Sequence, residues 1–185
     1  ERHPELTYQK VIQELESQKN EKGLKHYEKI FGKNENYLGL GLTILRKHAK
    51  KIKMNPILAK ELMTSKYFEA KMLSMMIDDP NEYDKKRIEL LVKELPKNYS
   101  SSPLSYYIMV LTEFIISKSP DVKQVIEKFA KSKNSTNRFV AYSTLASLGK
   151  IKEVNDDYFF PFLSAIESSI LNEDNNVKDV MNNSM

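Results

Sequence analysis

A cluster of basic side chains lies between positions 46 and 53 of the sequence. Its members are Arg46, Lys47, Lys50, Lys51 and Lys53. Lysine and arginine side chains this close together can bind successive phosphates of a nucleic acid, because each contact releases a condensed counterion. The same spacing is also typical of an ordinary solvated helix face. The residues by themselves leave both interpretations open.

Acidic pairs and histidines are the other side chains that could take part in chemistry. Asp78-Asp79 and Asp156-Asp157 lie at predicted helix boundaries, where an Asp side chain usually accepts backbone N–H hydrogen bonds. The histidines have no metal-ligand spacing. They are His3, His26 and His48. We therefore predict no metal site and no cofactor.

The composition is that of a soluble globular protein. A chain of 185 residues, 41% apolar and 29% charged, can bury one core. We expect a single domain over residues 1–185. Because the chain stops at Met185 inside an apparent helix, truncation at the C-terminal end stays open. Because no apolar run is long enough to span a membrane and cysteine is absent, we expect a cytoplasmic protein without membrane contact. The net charge of +4 favours an anionic partner, although excess lysine also serves solubility.

The elements that must position these side chains are helices. Apolar residues recur at spacings of three and four in nearly every segment, which predicts about eleven short helices. Proline and glycine mark their ends. Examples are Asn55-Pro56, Asp79-Pro80, Pro103 as the start of a seventh helix, Ser119-Pro120, and Gly149 as the C-cap of a ninth helix that begins at Arg138. The predicted fold class is all-α, an α-solenoid of antiparallel helix pairs, with an irregular bundle as the alternative that periodicity leaves open.

Three stretches of the sequence form motifs. Residues 37–47 read YLGLGLTILRK, residues 67–73 read YFEAKML and are followed by Asp79-Pro80, and residues 176–182 read NVKDVMN. In content, order and spacing they resemble the DNA alkylation repair family of AlkD-like HEAT-repeat DNA glycosylases. The resemblance extends over most of residues 8–185.

This resemblance implies a fold, an activity and a set of binding residues. The fold is a C-shaped stack of HEAT-like helix pairs, an α-α superhelix, whose basic concave surface holds duplex DNA. Active members hydrolyse the glycosidic bond of N3- or N7-alkylated purines, with a carboxylate that stabilises the charge developing on the sugar. The DNA-binding residues that we predict are Tyr27, Arg46, Lys47, Lys50, Lys51, Arg138 and Lys178.

The sequence departs from the family pattern at the positions expected to carry the chemistry. Tyr99 stands where active members have tryptophan, Pro103 where they have the aspartate, and Tyr142 where they have a backbone-contacting arginine. No Asp or Glu occurs between Glu94 and Glu113, and the chain contains no tryptophan. These losses argue against ordinary alkylpurine excision, so the catalytic residues stay unassigned.

Three functions remain in competition. The first is a monomeric protein that binds duplex or branched DNA independently of base sequence and lacks ordinary glycosylase activity. The second is an alkylpurine DNA glycosylase with a rearranged site that uses Tyr99 and an acid from elsewhere in the chain. The third is a HEAT-like scaffold that binds another protein. The missing carboxylate separates the first two, and convergence of the basic residues on one surface separates them from the third.

Overall fold

Short amphipathic segments separated by proline, glycine and asparagine fold into helices. The computed structural model describes residues 6–95 and 101–149. Within these ranges the chain contains helices and turns but no β-strand. The α-helices are α1 (Tyr8–Ser17), α2 (Glu21–Phe31), α3 (Leu42–Ile52), α4 (Pro56–Met63), α5 (Phe68–Ile77), α6 (Lys85–Lys93), α7 (Ser101–Phe114), α8 (Val122–Ala130) and α9 (Ser135–Gly149), with short 3₁₀ helices at Pro80–Glu82 and Ile116–Lys118. The predicted all-α class is confirmed, whereas the predicted tenth and eleventh helices lie outside the described residues.

Polar side chains determine where several helices begin. The Oδ1 atom of Asn20 accepts the N–H of Gly23 at 2.8 Å at the start of α2. Asn55 does the same for Leu58 at 3.1 Å at the start of α4. Pro56 follows as the first residue of α4, where a missing N–H removes no intrahelical bond. The boundary predicted from Asn55-Pro56 is confirmed.

Two predicted boundaries were wrong by a few residues. Helix α7 begins at Ser101 instead of Pro103, because the N–H groups of a first helical turn lack intrahelical acceptors and proline fits there. Helix α9 begins at Ser135, and Oδ1 of the preceding Asn134 accepts the N–H of Asn137 at 3.2 Å. Helix α9 is described as far as Gly149, and the residues that follow lie outside the described part of the chain, so the C-cap at Gly149 stays a prediction.

The described residues form two compact units. The first comprises the residues up to Asp79 together with the start of α7 as far as Pro103. In this unit α5 packs against both α3 and α4, and α1 packs against α4. Its core contains side chains with almost no solvent exposure. They include Leu15, Leu45, Leu62, Phe68, Met72 and Leu73.

The second unit comprises the described residues from Pro80 to 95 and from Leu104 onward. Helix α8 packs against α6 and α9. The core of the unit includes Ile88, Leu111 and Ile126, which are 0%, 2% and 0% exposed. Two polar contacts join separate segments of this unit. The Ser119 hydroxyl donates to the carbonyl oxygen of Tyr83 at 2.5 Å, and Oδ2 of Asp121 accepts the N–H of Lys85 at 2.8 Å. The single domain over 1–185 stays a prediction.

Candidate nucleic-acid interface

The solvent-facing side of α3 is made of basic side chains. Four of its exposed residues are Arg46, Lys47, Lys50 and Lys51. Leu45 and His48, on the other side of the helix, are 0% and 7% exposed. At about 100° per residue the four cations cover an arc of about 140°, and no Asp or Glu occurs in α3. We call these four residues the α3 basic face, and its side-chain charge is of one sign.

Contacts with α1 and α5 fix the orientation of this helix. Nε2 of His48 lies 2.8 Å from Oε1 of Gln18, the residue that follows α1. Nδ1 of the same ring lies 3.8 Å from Oε1 of Glu14. The fully buried Leu45 belongs to the core, and α3 packs against α5. The buried side of α3 therefore holds the basic face toward solvent.

Lys51 of the basic face has an acidic partner on α1. Its Nζ lies 3.4 Å from Oε1 of Glu14, and the two side chains are 72% and 37% exposed. Exposed ion pairs of this kind contribute about 0 to 1 kcal/mol. Lys51 can therefore exchange Glu14 for a phosphate at little cost.

A buried carboxyl group organises the loop that leads into α3. Oε1 of Glu69 accepts the N–H groups of Leu38 at 2.8 Å, Gly39 at 2.8 Å and Leu40 at 3.3 Å. Glu69 is 0% exposed, and its Oε2 atom has no hydrogen-bond partner within the described residues. Burial raises the pKa of Glu69, and the backbone N–H bonds offset part of that rise. Glu69 thus determines the path of the chain immediately before the basic face.

Three further hydrogen bonds attach the same loop to its surroundings. The N–H of Asn20 donates to the Leu38 carbonyl oxygen at 3.0 Å. The Tyr27 hydroxyl donates to the Leu40 carbonyl oxygen at 2.6 Å, and the N–H of Phe68 donates to the Asn36 carbonyl oxygen at 3.1 Å. Because donors reach it from the α1–α2 turn, α2 and α5, the loop has one well-defined conformation.

Gly39 is required at the centre of this loop. Its φ of +75° lies in the region that side-chain-bearing residues rarely adopt. A Cβ atom at this position would also overlap the carbonyl oxygen of Asn20 and lie 2.5 Å from the backbone nitrogen of Leu24. Gly23 is its counterpart on α2, because a Cβ there would overlap the Gly39 carbonyl oxygen. Two glycines therefore permit the close approach of α2 to the loop before α3.

Tyr27 lies in the core beneath this loop. It is 6% exposed and belongs to an aromatic cluster with Phe31, Tyr37 and Phe68, with ring centroids 5.2, 5.6 and 6.4 Å from its own. Edge-to-face contacts of this kind stabilise cores. The position gives Tyr27 packing and hydrogen-bonding roles. A direct contact of Tyr27 with DNA stays a prediction.

The Glu69 carboxyl group leads to a prediction about pH. Because its pKa in the folded protein lies above the ordinary 4.5, the folded state holds this proton more tightly than the unfolded state. The stability from this group is therefore full below the ordinary pKa and is lost as pH rises through the raised one. Glu69→Gln keeps an oxygen acceptor for the three N–H groups and removes the titration. We expect this variant to gain stability relative to the wild type as pH rises.

Urea denaturation from about pH 4 to about pH 8 measures this difference. Glu28→Gln, at an exposed position of α2, is the matched control because it removes one exposed acid and leaves the buried carboxyl group of Glu69 in place. Parallel stability profiles for the wild type and Glu69→Gln would contradict the role assigned to the buried carboxyl group.

Three of the remaining predicted site residues lie within the described part of the chain, and two lie outside it. Pro103 is buried in the first turn of α7, and Tyr142 is 2% exposed within α9. Arg138 is half-buried, and its Nη1 donates to the Ser132 carbonyl oxygen at 2.8 Å. Tyr99 and Lys178 lie outside the described residues. A DNA contact from Arg138 or Lys178 stays a prediction.

Two residues that position the basic face were not predicted to do so from the sequence. Glu69 belongs to a motif that gave it no role of its own, and Asn20 belongs to none. The sequence does contain a signal for Glu69. The helix FEAKMLSMMI is largely apolar, and Glu69 and Lys71 are its two charged residues. An ionisable group in an apolar helix has to find a partner.

Metal-binding and membrane-spanning elements are absent from the described part of the chain. Within residues 6–95 and 101–149 no group of three or more His, Cys, Asp or Glu side chains is arranged to hold a metal ion. Over the same residues, no helix has the length and apolar character that crossing a membrane requires.

Comparisons with known proteins identify relatives at the level of family and fold. The model of the family described as DNA alkylation repair enzyme matches residues 11–183. No curated protein matches the chain. A solved structure, described as a new family of proteins related to the HEAT-like repeat DNA glycosylases with affinity for branched DNA structures, matches with a TM-score of 0.78 and 24% identity. The match covers 97% of this chain and 74% of that one, and it confirms the predicted HEAT-like fold class.

Proposed function

We propose that this chain, which belongs to the DNA alkylation repair enzyme family, binds DNA independently of base sequence through the α3 basic face. The observation that carries the proposal is the charge of α3, which has four exposed cations, no acid and a buried side held by α1 and α5. Like charges this close together repel one another, and a polyanion relieves that repulsion. A face of one sign is therefore suited to DNA.

The dimensions of the α3 basic face support this partner. A helix rises about 1.5 Å per residue, so the segment from Arg46 to Lys51 extends about 7.5 Å along the axis. Successive phosphates of one DNA strand are about 3.4 Å apart along the duplex axis. The face therefore matches two to three phosphates. Contacts with phosphates position a protein on DNA without reading the bases.

Helix α2 differs from α3 in the pattern of its charges. Its lysines alternate with acids, as the helix reads EKGLKHYEKIF. Mixed charge of this kind is typical of a solvated helix surface. We therefore assign the DNA contact to α3 and use the α2 lysines as the internal control.

Binding of the purified protein to a fluorescently labelled duplex at low salt tests the proposal. We expect affinities that do not change with base sequence and that fall steeply as salt is added. Absence of DNA binding at low salt would instead favour the third function, a scaffold that binds another protein.

We also propose that the protein does not excise alkylated purines in the usual way. Pro103 replaces the carboxylate that the family pattern requires, and it can neither carry charge nor donate a hydrogen bond. Its burial in α7 adds a second obstacle, because a catalytic group has to contact the substrate. Loss of one preorganised electrostatic group typically costs about 10²- to 10³-fold in rate.

We predict release of 7-methylguanine and 3-methyladenine from methylated duplex DNA at no more than the spontaneous rate. The assay measures free base over time with purified protein, and a Tyr99→Phe variant serves as its control. Tyr99→Trp combined with Pro103→Asp tests whether the lost groups can be restored. Rapid excision by the unmodified protein that falls in Tyr99→Phe would instead support a glycosylase with a rearranged site.

A further inference from the structure

The turn between α3 and α4 presents two large apolar side chains to solvent. Met54 is 58% exposed and Ile57 is 77% exposed. Isolated exposed apolar residues are common on protein surfaces. Two within four residues of each other, immediately after a basic face, form a local apolar projection. We call Met54 and Ile57 the apolar tip.

The backbone that carries the apolar tip is firmly held. The N–H of Asn55 donates to the Ile77 carbonyl oxygen at 2.7 Å, and its Oδ1 accepts the N–H of Leu58 at 3.1 Å. Pro56 restricts the backbone further as the first residue of α4. The main chain is therefore hydrogen-bonded at Asn55 and Leu58, next to the two exposed apolar side chains.

Lys53 begins this turn in a conformation that suits glycine. Its φ of 67° and ψ of −172° lie in a region that almost only glycine adopts, and other residues are strained there. The N–H of Lys53 still closes α3 by donating to the Ala49 carbonyl oxygen at 2.8 Å. Glycine would fit without strain, so the side chain of Lys53 is retained at a cost in stability. Strain of this type concentrates at functional sites.

The charges around the apolar tip are predominantly positive. The exposed cations nearby in the sequence are Lys50, Lys51, Lys53 and Lys60. One exposed acid, Glu61, lies near these cations, on the same side of α4 as Ile57. An apolar projection surrounded by ammonium groups complements a ligand that has a flat apolar face bordered by phosphates.

DNA presents such a face where its stack is interrupted. In a continuous duplex each base pair is covered by its neighbours, whereas at an open branch point, where the arms are not stacked on one another, the last pair of an arm exposes one side. Proteins that bend duplex DNA insert Met, Ile, Leu and similar side chains between stacked base steps, at the cost of unstacking them, and contact the DNA with Lys and Arg. A base pair that is already uncovered at a branch point can be covered without that cost. The apolar tip follows the α3 basic face directly along the chain.

We infer that Met54 and Ile57 cover the exposed face of a base pair at a DNA branch point, with Lys53 bound to the adjoining phosphate. This inference rests on the proposed DNA-binding function and gives that function a preference for branched over continuous DNA. The similar structure whose proteins are described as having affinity for branched DNA shares the fold, and the inference stands on the tip itself.

The test compares the wild type with Met54→Ser/Ile57→Ser on two DNA probes. One probe is a four-way junction kept in its open form by leaving out divalent cations, and the other is a linear duplex of equal length closed by hairpin loops, so that it has no free ends. We expect the double variant to lose about tenfold in affinity for the junction, since two apolar side chains are no longer buried. Its affinity for the closed duplex should change by less than about twofold.

The matched control is Ile30→Ser, which removes an apolar side chain that is 47% exposed on α2. It should leave both affinities unchanged. A 2-aminopurine placed at the branch point supplies a second readout, because its fluorescence reports whether the base is covered. We expect quenching by the wild type and less quenching by the double variant.

The strained lysine provides an independent test. Lys53→Gly should raise the urea midpoint, because glycine adopts this backbone conformation without strain, and should weaken junction binding at the same time. If Lys53→Gly raises the midpoint and leaves junction affinity unchanged, the phosphate contact is wrong.

The possible outcomes distinguish failure of the branch-point role from failure of the proposed DNA binding. If the wild type binds neither probe, the proposed DNA binding fails. If it binds both probes equally, or if the double variant loses both affinities to the same extent, DNA binding stands and the branch-point role of the apolar tip is overturned.

Discussion

Gly39→Ala is expected to lower the free energy of unfolding by about 3 kcal/mol, which would remove much of the stability of an average domain. Two effects combine at this position. The φ of +75° is unfavourable for a residue with a Cβ by about 1 to 2 kcal/mol. The new methyl group would also overlap backbone atoms of Asn20 and Leu24, and overpacking typically costs about 1 to 3 kcal/mol.

Two other glycines of the chain separate these effects. Gly32 has a φ of +85°, and a Cβ placed there would meet no atom within 4 Å, so Gly32→Ala should show the conformational cost alone. Gly41 has neither a positive φ nor a close neighbour, and Gly41→Ala should have the smallest effect. Urea denaturation of the three variants should rank the loss of stability as Gly39, Gly32, Gly41. A Gly39 variant no less stable than the Gly32 variant would show that the close approach of α2 to the loop is wrong.

The second large effect is expected from reversing the charge of the α3 basic face. Changing Arg46, Lys47, Lys50 and Lys51 to Glu should reduce duplex affinity at least about 100-fold at low salt, because phosphate contacts become repulsive and no counterions are released. The fold should be retained, since all four side chains are exposed and the pair between Lys51 and Glu14 contributes little.

The matched control changes the same number of charges on α2 and the loop after it. It replaces four exposed lysines by Glu, namely Lys22, Lys25, Lys29 and Lys33. Both variants have the same net charge, so a nonspecific effect of charge would reduce their affinities equally. We expect the α2 variant to keep most of the wild-type affinity. Equal losses would mean that the DNA contact is not located on α3.

Local features of this fold could be predicted from the sequence. The helix start at Asn55-Pro56 and the exposure of Arg46, Lys47 and Lys50 follow from capping preferences and from the 3.6-residue period. Both depend on residues within a few positions of each other. The start of α9 was missed for a related reason, because the cap at Asn134 precedes a polar turn that carries no apolar periodicity.

The support of the basic face could not be predicted in the same way. Glu69 hydrogen-bonds to Leu38, 31 positions earlier, and no local pattern reports such a pairing. The same holds for Tyr27, whose hydroxyl group binds the Leu40 carbonyl oxygen. The family resemblance predicted a DNA contact for Tyr27, and only the packing of α2, the loop and α5 shows that its ring is buried.

The salt dependence of duplex binding tests the central claim most directly. The logarithm of the affinity should fall linearly with the logarithm of the salt concentration, by about 0.9 for each phosphate neutralised. Replacing the four residues of the α3 basic face by Ala should reduce this slope by about 1.8 to 2.7, as expected for the two to three phosphates that the face matches, whereas Ala at the four control lysines should leave it nearly unchanged. An α3 variant whose slope equals that of the wild type would contradict the assignment of the DNA contact to α3.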